Sequence, residues 1–263
     1  MAMTDPLLDA LLDACRRLHA GGLLAASDGN LSVRLPNGLI AMTPSGVPKA
    51  KVEVRDLAYL SLDGEVLSGR PSSERAMHLA VYRAVPEAKA IVHAHPPTAI
   101  AWTLARPDLQ ELPSEALPEV ILAAGRIPIV PMAIPGTEAM GTHLLPFLPD
   151  HRLLLLARHG GLCWGETMLE AAGGLERLEQ VAEILWKAET LGGEALRLVP
   201  KEAGLPELKA TGRRGLLWSL EWTDPTGARQ KLELLDPKAS GTPAPGMFQP
   251  QVPAGARWAT RNG

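Results

Sequence analysis

Ala90-Ile91-Val92-His93-Ala94-His95-Pro96 is an apolar run that ends in two histidines separated by one residue. Side chains two apart on a strand point to the same side, so this pair can grip one metal ion from a rigid strand end. Further along, Leu153-Leu154-Leu155-Leu156-Ala157 leads into His159-Gly160-Gly161, and a second buried strand would deliver a third imidazole. Three neutral nitrogens with a vacant position describe a catalytic metal site rather than a closed structural one. The competing reading of any single histidine is a satisfied polar group, because short motifs match by chance. His19, His78, His143 and His151 take that reading, on helix surfaces or at helix ends.

Composition narrows the classes around this site. The 263 residues suffice for one large domain or a domain with an appendage. An apolar fraction of 46% and a charged fraction of 21% are those of an ordinary globular protein. A net charge of −3 leaves no electrostatic footprint for nucleic acid or an anionic membrane. No run approaches the ~18 apolar residues of a membrane span. Met1 to Pro6 lacks a basic region followed by an apolar stretch, so no signal peptide is expected. Cys15 and Cys163 are too few for a disulfide framework. These features together predict a cytoplasmic protein.

Outward from the histidines, helices alternate with extended segments. Asp5 to His19 repeats Leu8, Leu11, Leu12, Cys15 and Leu18 at helical spacing, with Pro6 in the first turn and Gly21-Gly22 as the stop. Short strands are expected over 30–35, 39–43, 57–62 and 65–67, with hairpin turns at Pro36-Asn37-Gly38 and Asp63-Gly64. A helix over about 73–85 precedes the strand to His95, and another follows over about 97–105. Val120 to Ala123 and Ile127 to Val130 read as strands in a Pro-punctuated stretch. A helix from Thr137 to about Leu148, a strand over 153–158 and a long helix over about 167–191 complete the body. Gly173-Gly174 inside that helix costs about 1 kcal/mol per residue against Ala, which close packing on a sheet would explain. The sum is a three-layer α/β/α domain over residues 1–200, with a central mixed, largely antiparallel sheet.

Beyond it the character changes. Residues 201–263 carry nine Lys or Arg against six Asp or Glu. Leu216, Trp218, Leu220 and Trp222 alternate, and 223–227 turns toward Gln230 to Leu235, which predicts a β-hairpin. From Lys238 on, Pro, Gly and Ser suggest an extended tail.

Three small hydroxyl-rich turns accompany the histidines: Ser27-Asp28-Gly29-Asn30, Thr43-Pro44-Ser45-Gly46 and Pro71-Ser72-Ser73-Glu74. Their backbone N–H groups and hydroxyls suit a phosphate, especially where Ser72-Ser73 opens a helix. Each is equally an ordinary turn or cap. Glu74 either compensates the helix dipole or, brought near the histidines, ligates the metal or acts as a base.

The order of these motifs resembles the class II aldolase/adducin family, typified by bacterial L-fuculose-1-phosphate aldolase. The likeness runs from about residue 5 to 192. It rests on Gly29-Asn30-Leu31-Ser32-Val33-Arg34, Thr43-Pro44-Ser45-Gly46, Pro71-Ser72-Ser73-Glu74, His93-Ala94-His95-Pro96 and His159-Gly160. The resemblance implies that His93, His95 and His159 bind Zn²⁺, or Mn²⁺ or Co²⁺ in its place. It implies that Glu74 is a fourth ligand in the empty enzyme and the proton-abstracting base once substrate arrives. Ser27, Gly29, Asn30, Ser45, Gly46, Ser72 and Ser73 would hold the phosphate of a small hydroxyketone or ketose phosphate. The family also implies a homotetramer with interfacial sites.

On that reading the chain is a metal-dependent aldolase, forming an enediolate from its donor and joining it to, or releasing it from, an aldehyde. One departure stands out. The fuculose-phosphate enzymes protonate the aldehyde oxygen with a Tyr from a neighbouring subunit, just before the segment matching Ile121 to Gly125. This chain has Pro118-Glu119-Val120 there, and its tyrosines are Tyr59 and Tyr82. The alternatives on the same metal site are a dehydratase, a 4-epimerase or a decarboxylase of a sugar phosphate. Outside catalysis there remains an adducin-like interaction domain.

Overall fold

The computed structural model describes residues 5–114, 117–191, 209–213, 216–223 and 229–233. The expected extended tail from Lys238 lies outside the described residues.

Helix α1 spans Pro6–Ala20, and its start follows from chemistry: Pro6 needs no hydrogen-bond partner, and the Asp5 side chain accepts from the Leu7 N–H. Strands β1 (Asn30–Arg34), β2 (Ile40–Met42), β3 (Ala58–Leu60) and β4 (Val66–Ser68) form an antiparallel meander. Both expected hairpin turns close it, and Gly38 and Gly64 supply the positive φ that such turns require. Helix α2 (Arg75–Ala84) leads to β5 (Ala90–Ala94), and α3 (Pro97–Ala105) follows directly. Then come β6 (Glu111–Leu112), α4 (Pro118–Ala124), β7 (Ile127–Val130), α5 (Glu138–Leu144), β8 (Leu153–Leu156), β9 (Gly160–Gly165) and the long α6 (Met168–Thr190).

Among the described residues, nine strands form one sheet in the order β4-β3-β2-β1-β5-β9-β8-β7-β6. Every pair is antiparallel except β7 with β8. Helices cover both faces, so the three-layer architecture is as the sequence predicts. Alternation along β5 sorts the layers. Ala90, Val92 and Ala94 join α1, α3, α4 and α6 in one core, whereas Ile91 joins α2 and α5 in the other. His93 points to the α2 side. Fully buried leucines of α6 such as Leu175 and Leu178 each contribute roughly 1.5–3 kcal/mol through burial.

Three segments depart from the sequence reading. Residues 120–123 belong to helix α4 rather than a strand. Pro118 at its start and Gly125 at its end, with φ +70°, frame a helix, and a short apolar run alone does not distinguish the two states. The expected helix to Leu148 stops at Leu144 and tightens into a 3₁₀ turn at Leu145–Phe147, which contains Pro146. Strand β9 is absent from the sequence reading because Gly160, Gly161 and Gly165 look like a loop. Those glycines are there for packing: a Cβ on Gly161 would lie 2.5 Å from Leu178 of α6. Gly174 of α6 has the same explanation, since its Cβ would meet Cys163 Sγ at 2.2 Å, whereas Gly173 faces open space.

In the C-terminal extension, β11 (Leu216–Thr223) pairs with β12 (Arg229–Glu233) as the expected hairpin, and β10 (Lys209–Arg213) adds a third antiparallel strand.

Candidate metal and substrate site

The site forms where the central strands end. β1 pairs with β5 so that Asn30 sits opposite His93, and β5 pairs with β9 so that His93 sits opposite Leu162. The His95 N–H donates to the Leu23 carbonyl at 2.9 Å, which fixes the chain as it leaves β5. His159 occupies the tight turn between β8 and β9, closed by its N–H to the Leu156 carbonyl at 3.1 Å. Arg158 in that turn takes φ +60°. Downstream of His95, α3 has no capping side chain of its own; the Glu179 carboxylate of α6 accepts from the Thr98 and Ala99 N–H groups instead.

The three sequence-predicted ligands meet. His93 Nε2 lies 3.1 Å from His159 Nε2 and 3.1 Å from His95 Nε2. The ring centroids stand 4.9–5.2 Å apart. His93 Nδ1 donates to the Gly161 carbonyl at 2.8 Å, leaving its Nε2 lone pair aimed at the other two rings. Burial pushes His93 down to about 3 and also lowers His95, so both rings are neutral at ordinary pH. Converging lone pairs repel one another unless a cation sits among them. Nitrogens 2.0–2.1 Å from a tetrahedral ion stand about 3.3 Å apart, close to the spacing seen. The donor set therefore fits a divalent metal, and His93, His95 and His159 would hold it.

Glu74 stands beside them at the N-cap of α2. Its Oε1 is 3.2 Å from His159 Nε2 and its Oε2 is 3.4 Å from His93 Nε2. Burial raises its carboxyl, but the adjacent His159 and His93 rings and the Asn30 hydrogen bond lower it by more. The net effect is a carboxylate held well below the usual range, hence ionised at neutral pH.

The three hydroxyl-rich turns also come together. The Ser45 N–H donates to the Arg70 carbonyl at 3.0 Å and the Ser72 N–H to the Thr43 carbonyl at 3.3 Å, with a bridge between Pro44 and Pro71. The Thr43 hydroxyl accepts from the Leu31 N–H at 3.0 Å, next to Asn30. Asn30 and Ser72 are buried, Ser27 and Ser45 half-buried, and Ser73 and Gly46 exposed. Gly29 is obligatory: at φ +69°, a Cβ there would lie 2.8 Å from the His93 carbonyl oxygen.

Two residues were missed by sequence reasoning. Lys49 is only 1% exposed, and its Nζ donates to the Ser27 carbonyl at 2.7 Å and the Val47 carbonyl at 3.1 Å, tying two of the turns together. Burial lowers its ammonium, opposed by the Cys15 sulfur nearby and by the carboxylates of Asp28 and Glu74. Nothing in Val47-Pro48-Lys49-Ala50-Lys51 distinguishes it from a surface lysine. His78, expected at a helix surface, is instead fully buried against Asn30 and Ser32. Its position one helical turn after Glu74 was the available signal. Glu119, the sequence candidate for the missing acid, is exposed on the first turn of α4.

Comparison with known proteins agrees with this geometry. The chain is 37% identical over 171 residues to 3-oxo-tetronate 4-phosphate decarboxylase of Escherichia coli strain K12, covering 63% of this chain and 79% of that one. It is 30% identical over 199 residues to L-fuculose phosphate aldolase of Haemophilus influenzae, covering 74% and 89%. The solved L-fuculose-1-phosphate aldolase from Thermus thermophilus superimposes with a TM-score of 0.64 at 33% identity, covering 73% of this chain and 98% of that chain. Among the described residues, no helix is long and apolar enough to cross a membrane. The profile of the class II aldolase and adducin N-terminal domain matches residues 9–186, and the chain belongs to that family.

Proposed function

We propose that the chain is a divalent-metal-dependent carbon–carbon lyase that removes carbon dioxide from a phosphorylated 3-oxo sugar acid. The observation that carries the reading is the meeting of three imidazoles with one carboxylate at the end of β5. A bound divalent ion, zinc by expectation, would supply the Lewis acidity that stabilises an enediolate.

The chain's own residues do the rest. His93, His95 and His159 would hold the cation through their ring nitrogens. Ser45, Gly46, Ser72 and Ser73, with Ser27, Gly29 and Asn30, would take the phosphate. Fixing both ends of the substrate supplies orientation. When the carboxyl group leaves as carbon dioxide, its bonding electrons pass toward the adjacent carbonyl. The carbon left behind then takes a proton, which Glu74 would relay from solvent. In the reverse sense the Glu74 carboxylate removes that proton.

Loss of carbon dioxide from 3-oxo-tetronate 4-phosphate leaves dihydroxyacetone phosphate, so a decarboxylase and an aldolase can share one enediolate. Their difference lies in the departing group. Aldol cleavage must also move a hydroxyl proton on the departing carbon, and decarboxylation need not. Tyr82 is buried and bonded to Ser32, Tyr59 lies in β3, and no phenol stands at 118–120. That favours decarboxylation over the aldolase expected from sequence. The aldolase remains the second reading, supported by the likeness to the Haemophilus influenzae and Thermus thermophilus aldolases. A cytoplasmic homotetramer completes the proposal.

The test is a metal-replete assay of 3-oxo-tetronate 4-phosphate for carbon dioxide, run beside ketose 1-phosphates assayed for aldehyde. Metal-dependent carbon dioxide release with the greater kcat/KM supports the reading. Aldehyde release from a ketose 1-phosphate, with no carbon dioxide from the acid, overturns it in favour of the aldolase.

A further inference from the structure

Behind Glu74 lies a chain of buried polar groups with no part in holding metal. Asn30 Nδ2 donates to Glu74 Oε2 at 2.7 Å. Asn30 Oδ1 lies 2.6 Å from His78 Nε2, His78 Nδ1 lies 2.7 Å from Ser32 Oγ, and Ser32 Oγ lies 2.9 Å from the Tyr82 hydroxyl. Asn30, Ser32, His78 and Tyr82 are each at most 2% exposed.

The direction of every bond follows from the first. The Asn30 amide gives a proton to Glu74, so its oxygen must accept, and His78 Nε2 carries hydrogen. The neutral His78 ring then has a bare Nδ1, which accepts the one proton of Ser32. Ser32 Oγ is left to accept from Tyr82. The Tyr82 ring is held in turn by the Arg34 guanidinium, 4.9 Å from its centroid. Reversing any one bond sets two donors or two acceptors face to face in a buried place, so the whole row is fixed together.

We infer that His78 is a positioning residue: through Asn30 it fixes which way the amide faces and thereby holds the Glu74 carboxylate toward the reacting carbon. Without the His78 N–H, Asn30 Oδ1 is left buried with no donor and the amide loses its anchor, so it no longer holds the Glu74 carboxylate in one place. The inference rests on the proton-transfer role proposed for Glu74 and adds the device that aims it.

The test has two arms, both on the full chain. In the first, ¹⁵N NMR of histidine-labelled protein without metal reads the His78 tautomer at neutral pH. A neutral ring protonated at Nε2 is expected; a ring protonated at Nδ1, or at both nitrogens, overturns the inference. This arm needs no activity, so it stands even where the lyase reading fails. In the second arm, metal-loaded His78→Leu and His78→Gln are compared for kcat, KM and exchange of the carbon-bound hydrogen of dihydroxyacetone phosphate. His78→Leu should lose about 10- to 100-fold in kcat and exchange, at unchanged KM and metal content. The Gln variant, whose amide can donate to Asn30, should recover part of the loss. Parental exchange in His78→Leu overturns the inference, as does a loss confined to KM. If His78→Leu does not fold, Ser32→Ala serves. It should mix the two His78 tautomers and slow exchange, and leaving both unchanged again overturns the inference.

Discussion

Asn30 Nδ2 lies 2.7 Å from Glu74 Oε2, which joins the first residue of β1 to the residue that opens α2. The same Asn30 sits opposite His93 in the β1–β5 register. One side chain therefore links the carboxylate to the strand that carries His93. Replacing Glu74 by Gln keeps the shape and a partner for the amide network but removes the charge that accepts a proton. Glu74→Gln should retain metal yet lose roughly 10²- to 10⁴-fold in carbon-bound hydrogen exchange. Exchange at the parental rate would assign the proton transfer to another group.

Gly160 is the tightest point behind the imidazoles. A Cβ there would lie 2.4 Å from the Ala94 carbonyl oxygen, 2.8 Å from His95 Cδ2 and 3.0 Å from His93 Cε1. Two of those atoms belong to rings of the candidate metal site, and the third is strand backbone. Gly160→Ala should cost about 1–3 kcal/mol of stability through overpacking and also weaken metal affinity. Thermal unfolding and metal titration of the variant check both, and unchanged metal affinity would show that the rings have room to shift.

Lys49 ties the Ser27 turn to the Ser45–Val47 loop from inside the protein. Lys49→Met leaves two carbonyls without a donor, at about 1–3 kcal/mol each, offset by relief from burying an ammonium. The net stability change should be small, and the loops should loosen. Competitive inhibition by inorganic phosphate should weaken by roughly an order of magnitude, about 1.4 kcal/mol. Undiminished phosphate inhibition would place the anion elsewhere.

Acid should destabilise the metal-free protein early. His78 and His93 are both pushed to about 3 by burial, against an ordinary value of 6.5. The unfolded chain takes up protons that the folded chain refuses, so stability is full above pH 6.5 and is lost as pH falls toward 3. Each such group contributes a slope of about 1.4 kcal/mol per pH unit inside that window. Denaturant titrations of His78→Gln from about pH 7 to about pH 4 should show the slope reduced by about that amount. An unaltered slope would mean that His78 is protonated in the folded state.

Much of this arrangement was legible in the residues. Alternation placed His93 and His95 on one side of β5, and the apolar run before His159 gave the strand that presents it. Turn chemistry at Pro36-Asn37-Gly38 and Asp63-Gly64 gave both hairpins. What local pattern could not give was contact across the fold. The glycines of β9 read as loop because their reason, the approach of Leu178 and of the histidine rings, comes from other elements. Residues 120–123 read as strand because four apolar residues satisfy either period. His78 reads as a helix-surface residue, and Lys49 gives no local signal, because their partners lie on distant segments. Polar residues are buried for reasons only tertiary structure reveals.

The most direct measurement is metal stoichiometry and affinity of the parent beside His93→Ala, by elemental analysis and titration of metal-stripped protein. One divalent ion per chain is expected in the parent, with binding lost in His93→Ala although the sheet still forms. A parent chain that takes up no stoichiometric metal, or a His93→Ala protein that binds it equally well, would contradict the claim that these three imidazoles form a metal centre.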